Sequence, residues 1–395
     1  MSLFLILITT EILTFAVLRQ HFYDTSLTRF YISSILNFAL SIWLWMLFFE
    51  ISLYQGLFDT PGHIWLLMNF TGVVCAIVFP RIMLIFFHFT GKLIKRKTGN
   101  HIRSLTRTGM IISLSVFIII ATGTVFGRFN FRTEEVQIKI RGLNQDLDKL
   151  RIVQLSDLHL ASFHHHRHLL NKVMERVNSY DPDLIINSGD FVSYGWREFD
   201  GFDTILKIAR SRLGNYAVLG NHDFGTYHPF FTEADRNNNV LLMNQFITSS
   251  GYRVLNDDFT MIRKGSAIIA LSGVTTMGRF PEITYGNLRK AVAVPDSSDL
   301  KILILHDPNQ WEYEVKGKTD IDLTLAGHTH GMQMGILTKR FKWSPSQYFY
   351  PRWSGLYSEK DQFLVVNRGL GVLSIPFRIW MPPEITVIVL EAVQE

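Results

Sequence analysis

Arg151-Ile152-Val153-Gln154-Leu155-Ser156-Asp157-Leu158-His159 opens with a short apolar run and ends on a polar turn holding an aspartate and, two residues on, a histidine. An apolar, β-prone run of this length, bounded by a turn, reads as a buried strand. The form recurs four times: Asp183–Ser188 (DLIINS) runs into Gly189-Asp190, Asn215–Leu219 (NYAVL) into Gly220-Asn221-His222-Asp223, Lys301–Leu305 (KILIL) into His306, and Ile321–Ala326 (IDLTLA) into Gly327-His328-Thr329-His330-Gly331. Residues 166–179 and 199–212 read as helices, and 261–272, 361–367 and 385–391 as further strands. Strands alternating with helices argue for an α/β domain. Every polar turn falls just past the carboxyl end of its strand, where open α/β sheets place their ligand crevices.

Those turns hold a donor set. Asp, Asn and His without Cys suit hard or borderline divalent cations, so Mn, Fe, Zn, Mg and Co are the candidates. Taken singly, each residue has a structural reading: an Asp at a strand end caps a turn or helix, and a lone His306 is an ordinary hydrogen-bonded residue. Five such turns in order make metal binding the reading for the set. Glycines 189, 220, 327 and 331 permit tight turns and close backbone approach, and are supports for the site.

The first 128 residues are a different material. Residues 31–49 carry no charge, 111–126 is almost wholly apolar, 64–89 is long enough although Pro80 and Arg81 interrupt it, and 3–18 is apolar apart from Glu11. A bilayer core takes roughly 20 mostly apolar residues per helix, so four spans are expected, the first of them short. No basic start and no small-residue cleavage site surround Met1-Ser2-Leu3, so the anchor is expected to be retained. Residues 90–108 hold Lys92, Lys95, Arg96, Lys97, Arg103 and Arg107 with no acid, whereas 51–63 has Asp59 and no Lys or Arg. The positive-inside rule puts 90–108 in the cytoplasm, and the fourth span then delivers everything after about Gly127 to the other side. A reversed protein with a basic juxtamembrane patch is the alternative.

The chain's net charge of +5 is not a nucleic-acid signal. Residues 1–128 hold 10 Lys and Arg against 4 Asp and Glu, which leaves 29 against 30 for the remainder. A near-neutral domain lacks the basic excess that phosphate-backbone binding leaves, so no nucleic-acid partner is expected. The single cysteine, Cys75, lies in an expected span, and no intramolecular disulfide is possible.

From about residue 133 to 395 the chain resembles the calcineurin-like metallophosphoesterases, most closely their bacterial membrane-associated branch typified by YkuE-like enzymes. The resemblance rests on the five motifs together with Asn367-Arg368-Gly369-Leu370-Gly371 and Pro382-Pro383-Glu384-Ile385. It implies a two-layer β-sandwich flanked by helices, with a dinuclear site at the strand ends. By resemblance, Asp157, His159 and His330 would hold one metal, Asn221, His306 and His328 the other, and Asp190 would bridge both. A shared carboxylate keeps two cations at the roughly 3.5–4 Å separation that two-metal hydrolysis uses. His222 would face the substrate, protonating the leaving oxygen or stabilising phosphoryl charge, with Asp223 orienting its imidazole. Relatives commonly have Glu where this chain has Asp223, a further Gly where it has Met332, and a second acid where it has Ser193; the last two departures bear on substrate fit.

Three features lie outside that pattern. His164, His165, His166 and His168 read as a solvated loop entering a helix, with a phosphate or further metal contact as the alternative. In 339–357, Phe341, Trp343, Tyr348, Phe349, Tyr350, Trp353 and Tyr357 alternate with Lys339, Arg340, Lys342 and Arg352. Such a mixture suits a membrane interface presenting a lipid-linked phosphoester, or an aromatic-packed loop on the active-site rim. Glu11 and Arg81 are charges in expected spans, read as a mutual pair or lipid contact or, for Arg81, as snorkelling toward the basic loop.

The expectation is therefore an α/β (α+β) protein with a transmembrane helical region at 1–128 and a metallophosphoesterase domain at 129–395. Its function would be hydrolysis of a phosphoester, lipid-linked substrates included, by two divalent metal ions outside the cytoplasm. The alternatives are a tethered phosphatase for soluble substrates and a non-catalytic scaffold or sensor with the same fold. The intact ligand set and His222 argue against the last.

Overall fold

The computed structural model describes residues 2–99, 103–295, 297–338 and 340–393. Lys339 therefore lies outside the described residues. The chain divides into two compact units, one of Met1–Gln55, Leu66–Phe126 and Ser374–Phe377, the other of Gly56–Trp65, Gly127–Leu373 and Arg378–Glu395.

The first unit is helical. Helices Ser2–Phe22, Leu27–Leu53, Pro61–Thr98 and Arg103–Val125 follow one another, and four segments, Leu3–Phe22, Leu27–Leu53, Pro61–Thr98 and Ser104–Phe129, are long and apolar enough to cross a membrane. The first is 20 residues, longer than the sequence window suggested. Ser26 caps the second helix by accepting from Arg29 N (3.4 Å). Arg81 does not snorkel and does not pair with Glu11. Its guanidinium is buried and donates to Asn37 Oδ1 (3.2 Å), Asn37 O (3.3 Å) and Ser41 Oγ on the second helix, while Glu11 accepts from Trp45 Nε1 (3.2 Å). Polar partners within the bundle satisfy the guanidinium, which removes the reason to extend toward water.

The second unit holds two six-stranded sheets. In spatial order the first is Arg132–Arg141, Glu384–Val393, Arg151–Leu155, Leu184–Asn187, Asn215–Ala217 and Tyr252–Val254; the second is Gly355–Glu359, Gln362–Val366, Leu323–Ala326, Leu300–Ile304, Ala267–Gly273 and Asp258–Lys264. Alternation along each strand sorts side chains to two faces. Ile152, Leu184, Ile186 and Ile388 from one sheet meet Ile269, Ile302, Ile304 and Leu325 from the other in the core between them. The opposite faces carry Val153, Leu155 and Ile185 against Leu170, Val173, Met174 and Val177 of helix Arg167–Ser179, and Leu303, Leu305 and Val366 against Trp311 and Val315. The result is a two-layer sandwich with helices outside it.

Two elements differ from the sequence reading. The run 261–272 is a hairpin, Asp258–Lys264 paired with Ala267–Gly273, because Gly265 takes φ +63° and Asp146 accepts from Ser266 N (2.6 Å) at the turn. The expected helix 199–212 shrinks to Phe202–Leu206 after a 3-10 turn, Trp196–Phe199. Positive φ at Asp200 and Gly201 breaks its start, and Asn178 ends it by donating to Ile208 O (2.7 Å) and accepting from Arg210 N (2.8 Å).

Candidate metal centre and active site

Three of the five turns carry backbone that ordinary residues avoid. Asp157, His159, Asp190, His328 and His330 have φ of 50°, 41°, 57°, 71° and 48°. The left-handed region costs a non-glycine residue about 1–2 kcal/mol, and such strain collects at functional sites. Bonds between turns hold it: Asp157 N donates to Gly189 O (2.9 Å), Gly371 N to Asp157 O (2.8 Å), and Gly327 N to His306 O (2.9 Å). Gly189, at φ +103°, leaves no room for a side chain, since a Cβ there would lie 2.7 Å from Gly220 N.

The strain aims side chains inward. Asp157, His159 and His330 form one group, and Asp190, His306 and His328 another, each with its potential ligand atoms within 4.8 Å of one another. In the first group His159 Nε2 lies 3.1 Å from His330 Nε2, which is 3.2 Å from Asp157 Oδ1. In the second, His306 Nε2 is 3.0 Å from Asp190 Oδ2. The groups adjoin: Asp190 Oδ2 is 4.0 Å from His159 Nε2, and Asp157 Oδ1 is 4.0 Å from His306 Nε2. Asn221 Oδ1 is buried with no hydrogen-bond partner among the described residues, and Asp157 Oδ1 and His306 Nε2 meet only other donor atoms of the cluster. Unpaired buried polar atoms are costly, and lone pairs converging from several turns are what a cation would satisfy. Oxygen and imidazole donors fit a hard or borderline divalent ion.

Electrostatics agree with that fit. Burial alone would raise the carboxyls of Asp157 and Asp190, but the surrounding histidines hold both well below the usual carboxylate range. Burial disfavours charge on His306, yet Asp190 and Asp157 push its imidazole up to about 10. Burial keeps His159, His222 and His328 below their ordinary value. The carboxylates thus demand positive charge here, which a cation can supply in place of imidazolium protons.

The ring nitrogens turned away from the centre have partners. His306 Nδ1 lies 2.7 Å from Ser188 O, His159 Nδ1 3.1 Å from Ser193 Oγ, and His328 Nε2 2.8 Å from Tyr350 Oη. Arg378, buried, donates to Arg368 O (2.9 Å), Gly369 O (3.1 Å) and Gly371 O (2.5 Å) and lies 3.3 Å from His330 Nδ1. Partners of this kind fix ring orientation and tune a ligand's basicity. Asn221 turns its Nδ2 to Tyr227 Oη (3.1 Å), which leaves Oδ1 for the centre.

His222 sits beside the cluster with its ring stacked on Tyr227 (centroids 3.9 Å apart, 10° between planes) and edge-on to His159 (5.2 Å). Asp223 does not orient it. His222 Nδ1 lies 2.7 Å from Ser193 O, and the Asp223 carboxylate instead accepts from the backbone N–H of Asp190 (2.9 Å), Gly220 (3.0 Å), Phe191 (2.8 Å) and Val192 (3.2 Å). Burial and the nearby Asp190 charge push the Asp223 carboxyl up, while those N–H groups pull it back. Asp223 therefore ties two turns together, and a backbone carbonyl positions His222.

All nine residues singled out in the five motifs meet at this one place. Sequence reasoning missed Arg378 and gave Ser193 and Tyr350 other roles. Ser193 was assigned to substrate fit, and its hydroxyl touches His159. Arg378 had a faint signal, a cation isolated in an apolar, acid-free stretch. The aromatic segment divides: Tyr350 and Trp353 are buried around Met381, whereas Phe341, Tyr348 and Phe349 are exposed. The histidine cluster is aromatic-packed, with His165 edge-on to Trp65 (4.5 Å) and His166 against Phe129 (4.5 Å).

Comparison with known proteins follows the same lines. Residues 150–332 match the model of the calcineurin-like phosphoesterase family. The chain is 28% identical over 355 residues to a transmembrane protein with metallophosphoesterase domain from Danio rerio, covering 85% of this chain and 76% of that one. It is 26% identical to the uncharacterized metallophosphoesterase YkuE of Bacillus subtilis, over 66% of this chain and 85% of the relative. It is 25% identical to the UDP-2,3-diacylglucosamine pyrophosphatase LpxG of Chlamydia muridarum, over 61% and 83%. Residues 150–332, which carry every residue of the donor cluster, thus form a calcineurin-like phosphoesterase domain, and by that domain the chain is a metal-dependent hydrolase.

Proposed function

We propose that this chain is a membrane-anchored phosphoesterase that uses two divalent metal ions, with its catalytic unit outside the cytoplasm and a lipid-linked phosphoester as substrate. The observation that carries the dinuclear reading is the pair of adjoining donor groups with Asp190 between them. Asp157, His159 and His330 would hold one ion, Asn221, His306 and His328 the other, and Asp190 both. Ions bound there would supply Lewis acidity toward a water and a phosphoryl oxygen. The chain's own groups do the rest. His222, whose Nδ1–H donates to Ser193 O, turns Nε2 to the departing alcohol oxygen and gives it a proton from the imidazolium form, which the charge of a bound phosphoester would favour. Tyr227, stacked on His222 and bonded to Asn221, keeps both side chains at fixed positions. The buried turns exclude bulk water from the carboxylates and strengthen their hold on positive charge.

Four apolar helices support anchoring, and the basic segment 90–108, where the third and fourth helices meet, supports the orientation. A lipid-linked substrate is supported by the similarity to a UDP-2,3-diacylglucosamine pyrophosphatase and by the exposed aromatics near the site. The test is metal analysis of the purified chain followed by hydrolysis of mono-, di- and pyrophosphate esters, lipid and water-soluble, comparing wild type with His222→Ala. The expected result is two ions per chain in both proteins and a fall in turnover of about 10²–10⁴-fold in the variant. A chain that binds no ions, or a variant as fast as wild type, would defeat the proposal.

A further inference from the structure

The segment that follows the last ligand turn exposes apolar side chains in a regular pattern. Gly331, Gln333 and Gly335 are buried, while Met332, Met334 and Ile336 between them are exposed at 37%, 37% and 43%. The buried side is accounted for: a Cβ on Gly331 would lie 2.7 Å from Met381 Sδ, and one on Gly335 2.6 Å from Met381 Cε. Met381 packs in turn with Tyr350, Trp353 and Leu337. The segment is thus a strip laid over a small core, with its apolar outer face turned to the surroundings. It continues into a hairpin, Ile336–Leu337 paired with Lys342–Trp343, whose tip carries Phe341 (55% exposed). Met334 bridges Ile379, and the next residue, Trp380, is 65% exposed. Apolar side chains exposed in this number beside a polar site mark an interaction surface.

Charge identifies the occupant. From residue 323 to 358 the chain has no Asp or Glu but carries Lys339, Arg340, Lys342 and Arg352. Arg352 pairs with Glu312 (2.7 Å), whereas Arg340 and Lys342 are exposed and make no ion pair among the described residues. Methionine, isoleucine and aromatic side chains flanked by free cations suit an anionic lipid surface, which takes apolar groups below its phosphates and cations at them. A bilayer is already at hand, since the same chain carries four helices of membrane-spanning length. The chain returns from Ser374–Phe377, which belongs to the helical unit and in which Ser374 O accepts from Thr71 Oγ1 (2.6 Å), only two residues before Ile379.

We infer that the strip Met332–Ile336 and the hairpin tip, with Trp380, form a docking face for an anionic lipid bilayer, placing the His328–His330 turn at the membrane surface. The inference rests on the phosphoesterase reading and names the partner of that site: a lipid whose phosphoester lies at head-group depth.

The test uses the full chain with Cys75→Ser, reconstituted in nanodiscs of phosphatidylcholine and phosphatidylglycerol. Single cysteines at Met334→Cys and Ile336→Cys, and a control at Met261→Cys on an exposed position of the second sheet, carry nitroxide labels. Docking predicts that oxygen relaxes the labels at 334 and 336 more than a water-soluble nickel chelate does, with the reverse at 261. Labels at 334 and 336 as open to the chelate as the control would overturn it. Spin–spin broadening at 334, persisting in detergent without lipid, would also overturn it by showing a second copy on this face. Hydrolysis of phosphoesters, lipid and water-soluble, by the same labelled preparations and by the unlabelled wild type separates the two readings: wet labels on an active enzyme sink the docking face alone, and a wild type inactive on every ester sinks the phosphoesterase.

Discussion

Asp223 shows how a residue beside the chemistry can serve the fold. Four backbone N–H groups from two turns converge on its two oxygens, a set of donors that two carboxyl oxygens can accept and a side-chain amide cannot. Asp223→Asn puts an NH2 against N–H donors and leaves two of them unpaired, at a cost of about 3 kcal/mol of unfolding free energy. A lowered urea midpoint is the expected reading, with the His222 contact to Ser193 O left in place. An unchanged midpoint with a large loss of kcat would restore the orienting role that the sequence suggested. Ser193 makes the complementary case. Its carbonyl holds His222 and its hydroxyl meets His159, so Ser193→Ala keeps the first and loses the second. Metal-buffer titration should show affinity at one site reduced by about tenfold, with the other site unaffected.

Among the elements, the buried part of the aromatic segment governs the ligand turn. Trp353 is 5% exposed, packs with Tyr350 and Met381, and its carbonyl accepts from Thr329 Oγ1 (2.7 Å) between the two ligand histidines. Trp353→Ser should therefore cost about 3 kcal/mol or more in stability and slow lipid and soluble esters alike, as thermal unfolding and the two rates would show. A selective effect on lipid esters would mean that the ring faces membrane. The strands before each motif were legible because both faces of their sheets are buried, which leaves continuous apolar runs ending at turns. Helix Glu233–Ser249 was not legible. Its capping box, Thr232 with Asp235, is present in the sequence, but the face it buries includes Asn239, which donates to Asp223 O (2.7 Å) and accepts from Trp196 N (2.9 Å). A polar residue at a core position hides the periodicity that would reveal the helix. Strand Arg132–Arg141 was hidden for another reason: it is an edge strand whose charged residues face outward. Within the site, the metal-facing side chains were readable from residue type and spacing, whereas their supports were not, because a carbonyl such as Ser193 O or Ser188 O leaves no trace in sequence.

At the scale of the whole molecule, one loop constrains how the chain is threaded. Gly56–Trp65, between the second and third apolar helices, belongs to the same compact unit as the phosphoesterase domain, and Asp59 there pairs with Arg197 (3.3 Å) and His228 (3.3 Å). On the proposed anchoring, a loop that touches the phosphoesterase unit shares its side of the membrane, and the chain between them would cross an even number of times, as helices Pro61–Thr98 and Arg103–Val125 allow. The ends at which those two helices meet would then lie opposite, and between 90 and 108 they carry six Lys and Arg residues and no acid. Positive charge resists translocation, so those ends are expected in the cytoplasm and the metal centre outside it. In a Cys75→Ser chain, cysteines at Lys95→Cys and Ser358→Cys, both exposed positions, report the two sides. A membrane-impermeant maleimide added to right-side-out vesicles should label 358 and spare 95 until the vesicles are opened. Labelling of 95 alone would reverse the topology, and labelling of both in sealed vesicles would contradict the paired crossing that Asp59 requires.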